Sequence, residues 1–366
     1  MKRLAIIVLG ALVAGSALYA QTVPGSGLVK GPDAAEAKNL TGAGATFPAV
    51  LYSKWFSEYN KLTGVQVNYQ SIGSGGGIKS ISDMTVDFGA TDGPMTDEQL
   101  AAAKGGAIIH IPAAMGAVVP TYNIADLAKS KDALKFTAET LAGIYLGEII
   151  KWNDPKLVAD NPQLSKVDKY IVVARRSDGS GTTNIWTSYL TAVSESWAKK
   201  VGAGNSVQWP VGLGGKGNEG VAGLVKQTPY SIGYVELAYA KQNKLAVGQV
   251  KNKAGKWITA TMQSTSMAAQ GVALPEDMRV KLVNSDNADA FPIAGFTWLL
   301  AYTNQTDPAR ALAVTRMLWW ATHDGQKYCE ALDYAPIPVD AIKKAEILIK
   351  KITINGKQVL PASISN

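Results

Sequence analysis

Three segments of the sequence combine glycine, serine and threonine in the same way. Each follows a short apolar run typical of a β-strand and precedes a stretch with helical spacing; they are residues 42–47, 73–77 and 178–182. Glycine lets the backbone approach a ligand closely, and the first turn of a helix carries unpaired N–H groups with partial positive charge. One such segment is equally typical of an ordinary helix cap, but three in one chain favour an anion-binding site.

Two charged residues lie next to these segments. Arg176 ends an apolar run two residues before the third segment, and its guanidinium fork suits an oxyanion; the alternative is a surface ion pair with Asp178. Asp92 follows a predicted strand over residues 86–90. An ionised carboxylate only accepts hydrogen bonds. Beside a bound anion, Asp92 would therefore favour a ligand that keeps a proton, such as phosphate, over sulfate; the alternative for Asp92 is a structural turn.

Few residues suggest catalysis or metal binding. The two histidines, His110 and His323, are far apart and lack the spacing of metal ligands, and the single cysteine, Cys329, excludes an intrachain disulfide. Residues 212–217, GLGGKG, resemble a nucleotide phosphate loop, but their spacing differs and Gly217 stands where Ser or Thr belongs. We predict a protein that is not an enzyme and needs neither metal nor cofactor.

Composition and charge favour a folded protein with small-molecule partners. Of the 366 residues, 47% are hydrophobic and 18% are charged, which is typical of folded chains rather than disordered ones. The formal net charge is +7, and Lys2 and Arg3 supply two of those charges. Because no long run of lysine and arginine occurs, we expect no nucleic-acid binding.

The first residues have the pattern of a signal peptide. Lys2 and Arg3 precede an apolar run over residues 4–14, and small residues follow. We predict a signal peptide over residues 1–20, with cleavage after Ala17 or Ala20. The alternative, an uncleaved membrane anchor, is disfavoured because the run is short for a membrane span. Residues 21–38, with Pro and Gly and no periodicity, are predicted to form a flexible leader.

From Asn39 onward, strands and helices alternate, which predicts an α/β fold with a largely parallel sheet. Two apolar segments, residues 114–122 and 291–298, can be extended and cross between two lobes. With both crossings, lobe I comprises residues 39–117 and 292–366, and lobe II comprises residues 118–291. A ligand cleft would then lie between the lobes.

At these residues the sequence resembles the phosphate-binding proteins of Pst-type ABC importers. The similarity extends from about Asn39 to at least Asp333 and is looser beyond. It is carried, in order, by the segments LTGAGATFPAVLYSKW, VNYQSIGSGGGIKSI, VDFGATDGPM, IYLGEIIKWND, RRSDGSGTT, WPVGLGGKGNEGV and IGYVELAYAKQN.

The resemblance implies a two-lobed periplasmic-binding-protein fold of type II, with mixed, mainly parallel sheets flanked by helices. It implies a periplasmic monomer that closes over one inorganic phosphate and delivers it to the permease subunits of an ABC importer. Asp178 would hold Arg176, and Gly75 stands where some relatives have a second serine. The implied phosphate ligands are Ala45, Thr46, Phe47, Ser74, Asp92, Arg176, Ser180, Gly181 and Thr182. Two other functions stay open, a secreted phosphatase-like enzyme and an adhesion protein with the same fold.

Overall fold

The computed structural model describes residues 26–127 and 132–360, so the predicted signal peptide lies outside the described residues. The strands are β1 (Asn39–Gly44), β2 (Gln66–Ser71), β3 (Phe88–Thr91), β4 (Ile108–Asn123), β5 (Lys135–Phe136), β6 (Val172–Arg176), β7 (Leu213–Gly215), β8 (Ser231–Glu236), β9 (Ala246–Val247), β10 (Gln249–Lys251), β11 (Trp257–Ile258), β12 (Ala294–Tyr302), β13 (Asn304–Gln305), β14 (Thr353–Ile354) and β15 (Lys357–Gln358). The helices are α1 (Ala49–Thr63), α2 (Ser74–Ser82), α3 (Asp97–Ala101), α4 (Ala138–Leu146), α5 (Pro155–Val158), α6 (Gly181–Val193), α7 (Glu195–Lys200), α8 (Gly217–Gln227), α9 (Leu237–Gln242), α10 (Met262–Met267), α11 (Pro308–Thr322) and α12 (Val339–Ile349).

One nine-stranded sheet organises the molecule, in the order β2-β1-β3-β12-β4-β8-β6-β7, with β9 also paired to β4. The outer pairs β1–β2, β1–β3, β6–β7 and β6–β8 are parallel. The centre is antiparallel, because β12 runs opposite to both β3 and β4, and β4 runs opposite to β8. The prediction of a mixed α/β fold is confirmed. In this sheet the antiparallel pairs are those of the central strands and β9, and two small separate sheets contain the further antiparallel pairs β10–β11 and β14–β15.

The strand β4 belongs to both halves of this sheet. Its first part pairs with β12 as far as Ala117, and its last six residues pair with β8 from Val118 onward. Almost the whole strand is buried, as is all of β12. The change of partner falls at the predicted boundary between residues 117 and 118, and the exact bounds of the two lobes stay a prediction.

Helix α1 shows how the sequence pattern produces packing. Leu51, Trp55 and Tyr59 recur at helical spacing and are fully buried, so one face of the helix joins the aromatic core. Trp55 contacts Trp320 of α11 edge to face, with ring centroids 6.4 Å apart. Packing of this kind fixes α1, and with it the turn that precedes the helix.

The predicted flexible leader, residues 21–38, requires a correction for the part that the structure describes, residues 26–38. Val29 is 4% exposed and belongs to the core. The Glu36 carboxylate is buried and lies 2.9 Å from Nε of Arg316 on α11. Composition rich in glycine and proline led to the prediction, but burial of Val29 and the ion pair of Glu36 hold this segment against the fold.

Within residues 26–127 and 132–360, no helix is both long enough and apolar enough to cross a membrane.

Candidate anion site

The first predicted segment is the turn between β1 and α1. The N–H of Ala45 donates to the Ala90 carbonyl at 3.0 Å, so this amide is used in joining β1 to β3. The next two amides, of Thr46 and Phe47, have no acceptor within the described residues. Their carbonyls are held by tyrosine hydroxyls, Tyr239 at 2.6 Å from Thr46 O and Tyr334 at 2.7 Å from Phe47 O. The turn is therefore fixed with two donors free.

The second segment begins helix α2. Ser74 is its first residue and is fully buried. Its hydroxyl accepts from the Asp92 N–H at 3.2 Å and lies 3.4 Å from Oδ2 of Asp92. Ser74 and Asp92 therefore lie side by side, although they come from different strand ends, because β1 separates β2 from β3 by a single position in the sheet.

The third segment begins helix α6. Ser180 is the N-cap residue, and its hydroxyl accepts from the Thr183 N–H at 3.0 Å. The N–H groups of Gly181 and Thr182 occupy the first turn, where no intrahelical acceptor exists. A Cβ placed on Gly181 would lie 2.6 Å from both the amide nitrogen and Oδ2 of Asp92. Glycine at this position thus allows the start of α6 to touch Asp92.

Arg176, at the end of β6, is held by Asp178. Its Nε lies 2.8 Å from Oδ1 and its Nη2 lies 2.5 Å from Oδ2 of that carboxylate, and the Arg176 side chain is only 1% exposed. Burial acts to raise the pKa of Asp178, but the Arg176 guanidinium and the Gly217 N–H outweigh it and hold the pKa below its usual range. The remaining Nη1 lies 3.5 Å from Thr182 Oγ1, so the fork is positioned and one edge of it is free for an anion.

Asp92 is the carboxylate among these donors. It is 2% exposed, and its Oδ1 has no hydrogen-bond partner among the described residues. Burial raises the pKa of Asp92 to about 7, although Thr297, Arg176 and Ser74 oppose the rise. A buried acceptor without a donor is costly, so this atom marks the place where a ligand's proton fits.

The structure brings together most of the residues predicted for the site. Thr46, Ser74, Asp92, Arg176 and Thr182 converge from the ends of four strands, β1, β2, β3 and β6, and each is buried. One part of the prediction is corrected: the backbone N–H of Ala45 is already paired with Ala90, so the first turn offers the amides of Thr46 and Phe47 instead.

Sequence reasoning missed Asn218, on the first turn of α8. Its Nδ2 lies 2.8 Å from Thr46 Oγ1 and 3.0 Å from Thr182 Oγ1, so it links the first and third segments. The signal was present: residues 212–217 contain a fourth glycine-rich junction, in which strand β7 leads through Lys216 into helix α8. The segment WPVGLGGKGNEGV contributes to the family resemblance, but the resemblance assigns no ligand contact to Asn218.

The two histidines have structural partners. His110 accepts from the Met95 N–H at 3.0 Å, and burial lowers its pKa to about 3. The ring of His323 stacks on Trp319 and lies 3.1 Å from Glu346. Across residues 26–127 and 132–360, no group of three or more His, Cys, Asp or Glu side chains is arranged to hold a metal ion.

The arrangement offers amides, hydroxyls and a guanidinium as donors, with one carboxylate acceptor. Such a set fits a small oxyanion with several acceptor oxygens and one proton. Because the donors belong to helix starts whose backbones are fixed by packing, the site needs little rearrangement of its side chains.

Comparison with known proteins is consistent with this chemistry. The family model for the PBP superfamily domain matches residues 30–315. The phosphate-binding protein PstS of Haemophilus influenzae is 46% identical over 310 residues, covering 84% of this chain and 91% of that protein. PstS of Pasteurella multocida is 44% identical over 313 residues, covering 85% of this chain and 90% of that protein.

Solved structures share the fold. A high-affinity periplasmic phosphate-binding protein, PfluDING, superposes with a TM-score of 0.70 at 20% identity, covering 90% of this chain and 98% of that one. A protein from Clostridium perfringens, solved with bound phosphate, gives a TM-score of 0.59 at 16% identity, covering 82% of this chain and 100% of that one. At these identities the likeness concerns the fold alone.

Proposed function

Because the chain belongs to the PstS family of phosphate-binding proteins within the PBP superfamily, we propose that it binds inorganic phosphate for an ABC-type phosphate importer. The observation that carries this proposal is the buried Oδ1 of Asp92, which has no hydrogen-bond donor among the described residues, in a site where the amides of Thr46 and Phe47 have no acceptor. Phosphate supplies acceptors for those donors and, at neutral pH, a proton for the carboxylate.

The ligands we propose are the amides of Thr46, Phe47, Gly181 and Thr182, the hydroxyls of the site and Arg176. The hydroxyls belong to Thr46, Ser74, Ser180 and Thr182. Asp178 aligns the guanidinium of Arg176 and accepts the N–H of Gly217. The Asp92 carboxylate accepts a hydrogen bond from a protonated phosphate oxygen. Sulfate carries no proton, so Asp92 would face only its lone pairs. A site that leaves a buried polar group unpaired in this way can reject the wrong ligand by about 10⁴–10⁵.

The free energies are compatible with tight binding. A micromolar dissociation constant corresponds to about −8 kcal/mol, and each hydrogen bond to a charged group contributes about 1.5–3 kcal/mol. Several such bonds together exceed the cost of immobilising a small anion. The site therefore requires neither a metal nor a covalent step.

We further propose that the protein acts as a periplasmic monomer without catalytic activity and delivers phosphate to the importer's permease subunits. Export would rest on the signal peptide predicted over residues 1–20. N-terminal sequencing of the mature protein tests this, and an intact Met1 on the secreted form would contradict it.

Calorimetry tests the proposed function directly. The purified protein, freed of carried-over phosphate, is titrated first with phosphate and then with sulfate. We expect one phosphate per chain and no sulfate binding at the same concentrations. Absence of phosphate binding would overturn the proposal and favour the adhesion alternative.

A chromogenic phosphate ester tests the remaining alternative, a phosphatase-like enzyme. We expect no turnover, since both histidines have structural partners and the Ser74 hydroxyl, 3.4 Å from Asp92 Oδ2, belongs to the proposed phosphate donors. Turnover that persists with a chelator present and is lost in Asp92→Asn would favour the enzyme.

A further inference from the structure

Asn218 has a place in the site that the proposed ligand set does not explain. It is fully buried at the start of α8 and contacts residues of two of the three anion-binding turns. Thr46 belongs to the residues predicted for lobe I, and Thr182 and Asn218 to those predicted for lobe II. One amide side chain therefore bridges hydroxyls from both sides of the predicted cleft.

The orientation of this amide is fixed by a third contact. The backbone N–H of Glu236 donates to Oδ1 of Asn218 at 2.9 Å, and a backbone N–H can only donate. The oxygen must therefore face Glu236, and the NH₂ group must face the two threonines. Both hydrogens of Nδ2 are thereby committed to Thr46 Oγ1 and Thr182 Oγ1.

This commitment decides the direction of both hydroxyls. Thr46 Oγ1 receives a second donor, the backbone N–H of Asn218 at 3.2 Å, and Thr182 Oγ1 receives a longer contact from Arg176 Nη1 at 3.5 Å. A hydroxyl has two lone pairs and one hydrogen. With their lone pairs occupied, both threonines can only donate, and neither O–H finds an acceptor among the described residues.

We infer that Asn218 is a positioning residue that turns the Thr46 and Thr182 hydroxyls into obligate donors to the bound anion. The inference rests on the proposed function. Without Asn218 each hydroxyl can rotate and offer a lone pair to the ligand, which repels an anion. The Asn218 amide contacts one hydroxyl on each side of the predicted cleft. Both hydroxyls are therefore oriented toward the anion at the same time, when the turns that carry Thr46 and Thr182 come together.

A double-mutant cycle tests the inference. Asn218→Ala, Thr46→Val, Thr182→Val and the two doubles Asn218→Ala/Thr46→Val and Asn218→Ala/Thr182→Val are titrated with phosphate by calorimetry. We expect Asn218→Ala to weaken binding about 10- to 100-fold, the range of losing bonds to a charged ligand. We also expect it to cost much less when either threonine has already lost its hydroxyl. Losses that simply multiply in both doubles would overturn the inference.

Asn161→Ala is the matched control. Asn161 is also a buried asparagine among the residues predicted for lobe II, with its side chain bonded to Lys135 and Leu157, away from the anion site. We expect this variant to lose stability and keep its phosphate affinity. An affinity loss equal to that of Asn218→Ala would show that any buried amide in this region has the same effect, and would overturn the inference.

Asn218→Asp provides a second variant that preserves shape. Its carboxylate still accepts from the Glu236 N–H, but it offers acceptors to both threonines and adds a like charge. We expect a larger loss than for Asn218→Ala, and near-native binding would overturn the inference even if the alanine variant does not fold. Titration of the unaltered protein separates the two proposals: if it does not bind phosphate, both fall, and if it binds while the Asn218 variants bind equally well, only the inference falls.

Discussion

Asp92 determines which oxyanions the site tolerates, because it is the acceptor among the donors. We expect Asp92→Asn to weaken the discrimination between phosphate and sulfate, since an amide at this position can donate to sulfate. Paired calorimetric titrations of the variant measure the ratio of the two dissociation constants. An unchanged ratio would contradict the role proposed for Asp92.

The same carboxyl predicts a dependence on pH. Burial disfavours the ionised form and raises the pKa of Asp92 to about 7. The free-energy cost of the buried carboxylate is therefore absent below the solvent pKa of about 3.9 and fully present above about pH 7. At pH 8 the carboxylate accepts from a protonated ligand; at pH 5 the neutral carboxyl can donate to sulfate. We expect the preference for phosphate over sulfate to fall as the pH drops from 8 to 5. The preference of Asp92→Asn should change less over that range, and equal slopes would refute this account.

At the level of single residues, the sequence was informative where a side chain directly follows a strand. Ser74 and Asp92 follow β2 and β3, and Arg176 ends β6, and in open α/β sheets ligands bind outside the carboxyl ends of the strands. Tyr239 and Tyr334 reach the Thr46–Phe47 turn from residues about two hundred and three hundred positions away. No local pattern predicts such contacts, because they depend on how distant segments pack.

At the level of elements, the strand–turn–helix pattern predicted a helix after each of the three turns, and the structure has α1, α2 and α6 there, although α2 and α6 already begin inside the predicted turns, at Ser74 and Gly181. The direction of the central strands was harder to predict. Two apolar segments that can be extended do not show whether they run parallel or antiparallel. In the structure β4 and β12 are antiparallel and continue to Ile108 and Tyr302, well beyond the predicted crossing segments.

The close approach of α6 to Asp92 gives a prediction about this helix. Gly181→Ala keeps the backbone N–H, but the new Cβ would lie 2.6 Å from Asp92 atoms. We expect phosphate binding to weaken at least about 10-fold, and we expect the strain at Asp92 to outweigh the gain in helix propensity, which is at most about 1 kcal/mol. Calorimetry measures the loss of affinity, and thermal unfolding measures the change in stability.

Gly223→Ala, in α8, is the matched control for that variant. A Cβ at Gly223 meets no atom within 4 Å, so helix propensity should improve and phosphate affinity should stay the same. If Gly181→Ala binds phosphate as well as Gly223→Ala does, the contact between α6 and Asp92 has no part in closing the site.

At the level of the whole molecule, ligand binding and lobe closure should be coupled. The bound phosphate is expected to accept hydrogen bonds from donors in both halves of the sheet. It should therefore favour the arrangement in which the two lobes are closed. At a concentration 100 times the dissociation constant, a ligand stabilises the folded state by about 2.7 kcal/mol. We expect phosphate, and not sulfate, to raise the unfolding temperature and to decrease the radius of gyration measured by X-ray scattering. A rise in unfolding temperature without a change in size would argue against closure.

The overall architecture was predicted from alternation and resemblance, whereas the N-terminal segment was not. Residues 26–38 have a composition typical of linkers, yet Val29 and Glu36 pack against the fold. Composition reports what a segment can do by itself. The surface it covers is formed by α11, which lies almost three hundred residues later in the chain.

A main-chain contact spans the predicted cleft: the N–H of Gly75 donates to the carbonyl of Gly179 at 2.9 Å. The partners are two glycine backbones, so the bond survives most side-chain substitutions elsewhere in the site. Separation of the two turns breaks it and exposes this amide to water. The hydrogen–deuterium exchange rate of the Gly75 amide therefore reports how often the cleft opens, and its measurement needs no attached probe.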